Sequence, residues 1–259
     1  MKNQGRVKHL IVGGVAGGAT AAARIRRNDE KAEIILFEKG EYISYANCGL
    51  PYYIGGTIKE RSSLFVQTPE AFGRRFNIDV RTKSEVIEID VEKKEVKVRG
   101  EDGSVYTENY DRLLLSPGAT AVKPPIKGIE SDGIFTLRNV YDTDRIKEYI
   151  TKLRVQRAVI VGGGFIGLEM AENLHAAGAK VSVVEMAPQV MAPMDFSMAQ
   201  IVHEHLVTKG VELHLGEGVV AFESNNDRID VVLSSQRSIA ADIVILSIGV
   251  RPTTTLARD

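Results

Sequence analysis

Residues 158–170 read AVIVGGGFIGLEM: an apolar run, a glycine-rich turn and the start of a second apolar run. Gly162, Gly164 and Gly167 have the spacing of a dinucleotide-binding turn between a strand and a helix. Glycine at the first position permits a tight turn, and glycine at the last lets helix and strand pack closely. Backbone N–H groups at the helix start can then bind a pyrophosphate. The stretch therefore predicts a strand, turn and helix of a parallel α/β fold.

A second copy of this pattern begins near the start of the chain. Residues 7–20 read VKHLIVGGVAGGAT, in which Gly13 and Gly18 occupy the first and last glycine positions. Val15 stands where the middle glycine normally lets backbone approach the phosphates. Two such units in register predict two dinucleotide sites rather than a structural turn that happens to be rich in glycine.

An acid closes the second strand of each predicted unit. Glu38 follows the apolar residues IILF, and Glu185 follows VSVV. Each lies about 20 residues after its last glycine, where a carboxylate accepts hydrogen bonds from ribose hydroxyls. Such a carboxylate repels a 2′-phosphate, and the next three residues after Glu185, MAP, contain no arginine. The second site is therefore predicted to prefer NADH over NADPH.

The repeat continues beyond the acids. Residues 85–99 and 219–233 alternate in polarity around a polar pair and predict β-hairpins. Residues 113–115 and 243–246 predict a returning buried strand in each half. The expected fold class is α/β, with two Rossmann-like, three-layer dinucleotide-binding domains, each carrying a β-meander.

These patterns place the domain boundaries. We expect a first nucleotide-binding domain over residues 1–118, a linker over 119–140 that is rich in proline and glycine, and a second domain over 141–259. Residues 142–153 predict a helix that leads into the second domain.

Composition excludes several classes of protein. The 259 residues carry a net charge of −1 and no long basic run, so we expect no nucleic-acid partner. No apolar stretch is long enough to span a bilayer, so no membrane partner is expected. A single cysteine rules out an intrachain disulfide and favours a reducing compartment, the cytoplasm. The five histidines are scattered, and no metal site is predicted.

The only cysteine, Cys48, lies in the stretch SYANCGLP at residues 44–51. Asn47 is a good N-cap residue and an apolar run follows, which predicts a helix start, a position that favours the reactive thiolate. The alternative is a buried, inert cysteine. The polar residues Ser44 and Asn47 favour a reactive role. Two dinucleotide sites and one thiol suggest an electron path from reduced nicotinamide through flavin to sulfur.

These motifs together resemble the pyridine nucleotide-disulfide oxidoreductases over the whole chain. Within that family, SYANCGLPYY at residues 44–53 is similar to the active-site segment of coenzyme A-disulfide reductases. The stretches GGVAGGAT at 13–20, LSPGA at 115–119 and GVRP at 249–252 fit as well. Related forms carry a fused rhodanese domain and act on CoA persulfide or polysulfide. The first turn in that family also lacks the middle glycine.

The resemblance implies FAD and NADH as cofactors, coenzyme A as substrate or bound ligand, and Cys48 as the catalytic residue. It makes 1–118 the first segment of an FAD-binding domain and 141–259 an NADH-binding domain. For FAD it implies Gly13, Val15, Ala16, Gly17, Gly18, Glu38, Lys39, Val86, Ser116, Pro117 and Gly118. For NADH it implies Gly162, Gly164, Phe165, Ile166, Gly167, Glu169, Glu185 and Gly249. For coenzyme A it implies Thr20, Arg24, Arg27, Ser44, Asn47 and Arg75.

Two of these residues have more specific implied roles. Phe165 would gate the nicotinamide pocket, with a core aromatic as the alternative, and Glu169 would lie near the carboxamide. Full members of the family continue past Gly-Val-Arg-Pro with a second FAD segment and a dimerisation domain. We therefore expect this chain to correspond to the N-terminal part of a longer protein that forms a homodimer.

Three functions follow from these patterns. The first is NADH-dependent reduction of CoA-disulfide or CoA-persulfide through Cys48, with a small-molecule substrate. The second is an NADH oxidase or peroxidase in which Cys48 cycles through a sulfenic acid. The third is a nucleotide-binding fragment without catalysis.

Overall fold

The computed structural model describes residues 6–225 and 228–258, which divide into two compact α/β units. The first unit contains residues 6–46, 62–119 and 252–258. The second unit contains residues 47–61, 120–225 and 228–251.

The described residues form parallel sheets, helices and antiparallel meanders. The helices are α1 (Ala16–Asn28), α2 (Leu50–Ile54), α3 (Pro69–Phe76), α4 (Val140–Leu153), α5 (Phe165–Ala176) and α6 (Phe196–Thr208). The strands of the first half are β1 (Lys8–Val12), β2 (Glu33–Phe37), β3 (Asp79–Arg81), β4 (Glu85–Asp90), β5 (Glu95–Arg99), β6 (Val105–Asn109), β7 (Arg112–Leu115) and β8 (Ala119–Ala121). Those of the second half are β9 (Ile134–Thr136), β10 (Arg157–Val161), β11 (Lys180–Glu185), β12 (Glu212–Leu215), β13 (Val219–Asn225), β14 (Arg228–Leu233), β15 (Ser238–Ala241), β16 (Ile243–Leu246) and β17 (Val250–Pro252).

The first unit has three layers. Its four-stranded parallel sheet has the order β3-β2-β1-β7, so the central strand β1 lies between β2 and β7. Side chains alternate along β1: Ile11 packs in a cluster with Ala22 of α1, whereas Leu10 packs in a cluster with Val96 of the meander β4-β5-β6. The sheet therefore has helices on one face and the meander on the other.

The second unit repeats this architecture with a wider sheet. Its five strands have the order β12-β11-β10-β16-β9 and all pair in parallel. Val159 and Val161 of β10 pack in one cluster with Val231 and Leu233 of the meander β13-β14-β15. The predicted fold class, two Rossmann-like units each with a β-meander, is confirmed.

Most predicted elements are confirmed, including the parallel strands β1, β7, β10 and β16. The predicted burial of the first returning strand is wrong, because Leu113 to Leu115 of β7 are only half-buried and Arg112 is exposed. The hairpin over 85–99 forms between β4 and β5, and that over 219–233 between β13 and β14. Asn226, one of the polar pair in the second predicted hairpin, lies outside the described residues. The predicted helix over 142–153 begins two residues earlier because Asn139 and Asp142 form a capping box.

The compact units differ from the predicted boundaries in three places. Residues 47–61 lie in the second unit although 1–118 was expected to form one domain. Strand β9 lies in the predicted linker 119–140 and is the edge strand of the second sheet. The tail from residue 252 lies in the first unit. Sequence patterns do not predict these three differences, because the contacts that assign each segment to a unit join residues far apart in sequence.

Neither a membrane-spanning helix nor a metal-binding cluster was predicted. Across residues 6–225 and 228–258, no helix combines the length and the apolar character needed to cross a bilayer. The same described residues contain no group of three or more histidine, cysteine or acidic side chains arranged to hold a metal ion.

Glu108 of β6 ties the first meander to the parallel sheet. Its carboxylate accepts hydrogen bonds from Lys8 of β1 and, at 2.7 Å, from Arg81 of β3. Burial alone would raise the pKa of Glu108, but these two hydrogen bonds and charges outweigh it and hold the pKa below its usual value. The three side chains are largely buried, so the cluster is screened less by solvent than a surface pair.

We expect Glu108→Gln to lower the free energy of unfolding by about 1–2 kcal/mol at pH 7, because two charge-assisted hydrogen bonds are weakened. The folded-state pKa is depressed. The loss should therefore be fully present above the unfolded value of about 4.3 and vanish as the pH falls through the folded value. Denaturant unfolding at a series of pH values measures the loss of unfolding free energy and its pH dependence. Glu101→Gln is the control, because Glu101 is 69% exposed and pairs with Lys83 at the surface. An equal loss of unfolding free energy in both variants would contradict the stabilising role of Glu108.

Candidate functional site

The first glycine of each turn is required by the backbone itself. Gly13 and Gly162 have φ of +97° and +108°, a region that favours glycine. A Cβ on Gly13 would lie 2.0 Å from the Ser116 carbonyl oxygen, and one on Gly162 would lie 2.5 Å from that of Ser247. Both serines directly follow the returning strand of their unit, β7 or β16.

The last glycine of each turn brings the helix against the turn. A Cβ on Gly18 would lie 1.7 Å from the carbonyl oxygen of Gly13. A Cβ on Gly167 would lie 2.0 Å from the carbonyl oxygen of Gly162. Neither separation leaves room for a methyl group, so these two glycines are explained by packing within the protein.

The middle position is different, because no other part of the protein crowds its glycine. Gly164 has φ of −81°, and no protein atom lies within 4 Å of a Cβ built on it. Val15 holds the same position in the first turn, at the N-cap of α1 with φ of −91°. The open space at Gly164 fits a ligand that approaches the backbone, as the pyrophosphate of a dinucleotide does.

The acid of each unit reaches back to its turn. Glu38 accepts a hydrogen bond from Gly14 N at 2.8 Å, and Glu185 accepts one from Gly163 N at 2.7 Å. The second oxygen of each carboxylate accepts from the backbone N–H two residues ahead, Gly40 or Ala187. A carboxylate has about four lone-pair sites, so each acid can still accept from ribose hydroxyls.

A cavity of about 410 Å³ lies beside the first turn, within the first unit. All the residues predicted to hold FAD belong to this unit. Five of them line the cavity: Gly13, Glu38, Lys39, Val86 and Pro117. Of the others, Val15 to Gly18 form the turn and the start of α1, and Ser116 and Gly118 flank Pro117 after β7.

The cavity also has lining residues that sequence analysis missed, among them Arg99 and Thr253. The buried hydroxyl oxygen of Thr253 has no hydrogen-bond partner among the described residues. A buried polar atom without a partner fits a site that a polar ligand completes. The only available signal was the position of Thr253 directly after the GVRP stretch.

The second turn is surrounded by exposed apolar side chains of the second unit. Phe165 is 67% exposed at the start of α5, so the core-aromatic alternative for it is wrong. Met186, 79% exposed, directly follows β11, and Ile248 and Gly249 follow β16. These positions share the carboxyl edge of neighbouring parallel strands, where ligands of such folds bind. Apolar side chains left exposed at this edge suit the flat faces of a nicotinamide.

Cys48 is exposed, so the alternative of a buried thiol is wrong. It lies in a 3-10 turn, Asn47–Gly49, directly before α2. The predicted role of Asn47 as N-cap is also wrong, because Gly49 is the N-cap residue and no side chain caps this helix. Asn47 is displaced from that position because the 3-10 turn separates it from α2.

Acidic side chains surround the residues next to the thiol. The charge of Glu172 raises the pKa of Tyr52, and burial, Glu169 and Cys48 add to the effect. Burial raises the pKa of Glu169, the residue predicted near the carboxamide, and the charge of Glu172 adds to it. The second unit therefore brings Cys48, Tyr52 and two carboxylates of α5 into one electrostatic neighbourhood.

The predicted coenzyme A residues are divided between the units. Thr20, Arg24 and Arg27 are exposed along one face of α1 in the first unit, at helical spacing. Ser44, with φ of +46°, and Arg75, exposed near the end of α3, belong to the same unit. Asn47 is exposed beside Cys48 in the second unit.

Comparison with known proteins identifies the family. Residues 7–259 match the family model described as pyridine nucleotide-disulphide oxidoreductase. The chain belongs to the pyridine nucleotide-disulphide oxidoreductases. These are flavin-dependent enzymes that use FAD and pyridine nucleotide, which agrees with the expected cofactors.

Similar members of the family have assigned activities or solved structures. A coenzyme A disulfide reductase of Staphylococcus haemolyticus is 39% identical over 95% of this chain and 54% of its own length. An NADH oxidase of Methanocaldococcus jannaschii is 36% identical over 97% of this chain and 56% of its own. The crystal structure of reduced Bacillus anthracis CoADR-RHD has a TM-score of 0.95 and 52% identity, covering 98% of this chain and 46% of that one. The chain thus spans about half the length of the curated relatives it matches.

We expect Gly164→Ala to leave the free energy of unfolding within about 1 kcal/mol of wild type, because the added methyl meets no protein atom. The same methyl should weaken NADH binding about tenfold or more, because it enters the open space where the pyrophosphate is predicted to bind. Calorimetric titration and thermal unfolding measure the two quantities.

Gly162→Ala is the matched control in the same turn. Its positive φ and 2.5 Å approach to backbone should lower the free energy of unfolding by more than about 2 kcal/mol. Wild-type NADH affinity in the Gly164 variant would show that this turn does not hold the pyrophosphate.

Proposed function

We propose that this chain is the FAD- and NADH-binding part of an oxidoreductase that reduces CoA-disulfide or CoA-persulfide through Cys48. The observation that carries this proposal is the exposure of the only thiol in a chain with two dinucleotide turns. A thiol that reacts with a bulky disulfide must be accessible, and a buried structural cysteine is not.

The division of ligands between the units follows from their turns. The first unit would hold FAD at Gly13, Gly18 and Glu38, next to the cavity that Val86 and Thr253 line. The second would hold NADH at the open middle position of residues 162–167, with Glu185 favouring a free 2′-hydroxyl. Bound FAD would accept two electrons from NADH and deliver them to a disulfide.

The role of Cys48 is nucleophilic. Its thiolate attacks one sulfur of CoA-disulfide, which forms a mixed disulfide with one CoA and releases the other as a thiolate. Two electrons and one proton from NADH then reduce the mixed disulfide, with a second proton from solvent in the overall balance. The products are two CoA thiols and NAD, and Cys48 returns as the thiolate.

Coenzyme A carries phosphates and therefore needs cationic contacts. Arg24 and Arg27 are exposed on one face of α1 next to Thr20, and Arg75 is exposed on α3. Guanidinium groups bind phosphate oxygens in a bidentate manner, which supports a CoA ligand over a small acceptor such as oxygen. The similarity to the coenzyme A disulfide reductase of Staphylococcus haemolyticus also supports this class of substrate.

We expect Cys48→Ser to lower the rate of NADH-dependent CoA-disulfide reduction by roughly a hundredfold or more, because the nucleophile is lost. Binding of FAD and its bleaching by NADH should persist, since neither needs the thiol, and this half-reaction is the internal control. Stopped-flow absorbance and thiol release measure the two steps. Turnover with CoA-disulfide that survives in the serine variant would rule out the proposed role of Cys48.

An NADH oxidase or peroxidase is the second candidate, favoured by the relative of that name in Methanocaldococcus jannaschii. In that case NADH consumption would be as fast with oxygen or peroxide alone as with CoA-disulfide. Trapping Cys48 as a sulfenic acid would support this candidate.

The third candidate, a nucleotide-binding fragment without catalysis, is tested by the visible spectrum of the purified chain. A colourless protein that does not take up FAD would favour it. We further propose that the whole protein works as a homodimer in the reducing cytoplasm, in line with the family resemblance and the single cysteine.

A further inference from the structure

Residues 47–61, here called the thiol segment, belong to the second unit. The segment contains the 3-10 turn with Cys48, then α2 and the stretch that follows it. One face of α2 is buried, with Leu50 and Ile54 exposed by only 2% and 5%, and the helix packs against α4 and α5. Such burial fixes the helix laterally, but a five-residue helix needs further contacts to fix its orientation.

Lys147 of α4 supplies a contact at the end of α2. Its ammonium donates a hydrogen bond to the carbonyl oxygen of Tyr53 at 2.5 Å and lies 4.3 Å from the centre of the Tyr53 ring. The same carbonyl oxygen also accepts a longer hydrogen bond, 3.3 Å, from the backbone N–H of Gly56, so the charge-assisted bond from Lys147 is the shorter of the two contacts at this helix end. Lys147 is half-buried, and burial lowers its pKa.

A second contact from α4 holds the far end of the thiol segment. Asp144 lies three residues before Lys147, on the same face of the helix. Its two carboxylate oxygens accept hydrogen bonds from Arg61 at 2.9 Å and 2.7 Å in a bidentate arrangement. Both side chains are about one-third exposed, so this pair adds orientation more than stability.

The third contact joins the thiol segment to α5. A Cβ on Gly55, directly after α2, would lie 2.6 Å from Asn173 Oδ1 and 2.9 Å from the Asn173 carbonyl oxygen. Asn173 is itself buried, and its amide donates to the carbonyl oxygen of Glu169 one turn earlier. The segment therefore lies directly on the helix that begins at the second glycine-rich turn.

We propose that Lys147 is a positioning residue for Cys48, which it holds in place through α2, together with Asp144 and the contact between Gly55 and Asn173. The thiol is then carried by the unit with the second nucleotide turn rather than by the unit with the first. This inference rests on the proposed function only for its catalytic meaning, because the positioning itself can be measured without turnover.

The test attaches a nitroxide spin label to Cys48, the only cysteine, in the full chain. We expect Lys147→Met to narrow the spectrum of the label and to accelerate hydrogen exchange in residues 50–58 about tenfold or more, because a charge-assisted hydrogen bond is lost. Lys147→Arg should restore both, since it keeps a charged donor. Lys152→Met, on an exposed position of the same helix, is the matched control and should change neither.

Gly55→Ala is a second variant that tests the same idea from the other side of α2. The added methyl must push the thiol segment from Asn173, so it should also mobilise the label. Exchange in β10 and β11 should stay at the wild-type rate in both variants, which separates loss of positioning from general unfolding.

The proposal is overturned if label mobility and exchange in Lys147→Met match the wild type, or if Lys147→Arg fails to rescue them. Failure of CoA-disulfide turnover alone would count against the proposed function and leave this result unaffected.

Discussion

The architecture depends on one steric constraint, the close approach of a helix to the turn before it at Gly18 and Gly167. At both places a Cβ would come within 2.0 Å of the carbonyl oxygen of the turn's first glycine. Because the helix can come this close, its N-terminus stands at the carboxyl edge of the sheet with backbone N–H groups free. A ligand site at that edge follows from the packing, because the contact between the helix and its turn also directs the helix N-terminus toward the edge of the sheet.

The two units share this construction and differ where a ligand would be bound. Glu38 and Glu185 make equivalent hydrogen bonds to their turns, so each acid stabilises its turn in addition to the predicted contact with ribose. The middle position separates the units, with a valine in the first and an open glycine in the second. The hydrogen bonds to the turn by themselves account for a carboxylate after each turn, whichever residue occupies the middle position.

The thiol segment places Cys48 in the second unit. Its contacts with Lys147, Asp144 and Asn173 come from two helices that are distant in sequence from Cys48. An exposed cysteine in a 3-10 turn before a five-residue helix needs such support to keep one orientation, because the local stability of so short a helix is small. The carboxylates of α5 near Tyr52 give the same region an acidic character.

The sequence by itself determined the elements that depend on local spacing. Local signals predicted four features: the glycine positions of the turns, the acids Glu38 and Glu185, the alternation in the hairpins, and the apolar runs of β1 and β10. These signals recur along the chain because the same steric and burial requirements recur. The start of α4 was predicted two residues too late, although the capping box of Asn139 and Asp142 that sets it is a local signal.

Only the tertiary structure decided which unit holds Cys48, that its thiol is exposed, and that strand β9 joins the second sheet. It also revealed that the buried hydroxyl of Thr253, beside the cavity of the first unit, has no hydrogen-bond partner within residues 6–225 and 228–258. These features arise from contacts between residues far apart in the chain. Such contacts leave no periodic signal, because their energy depends on which surfaces meet after the sheets have formed.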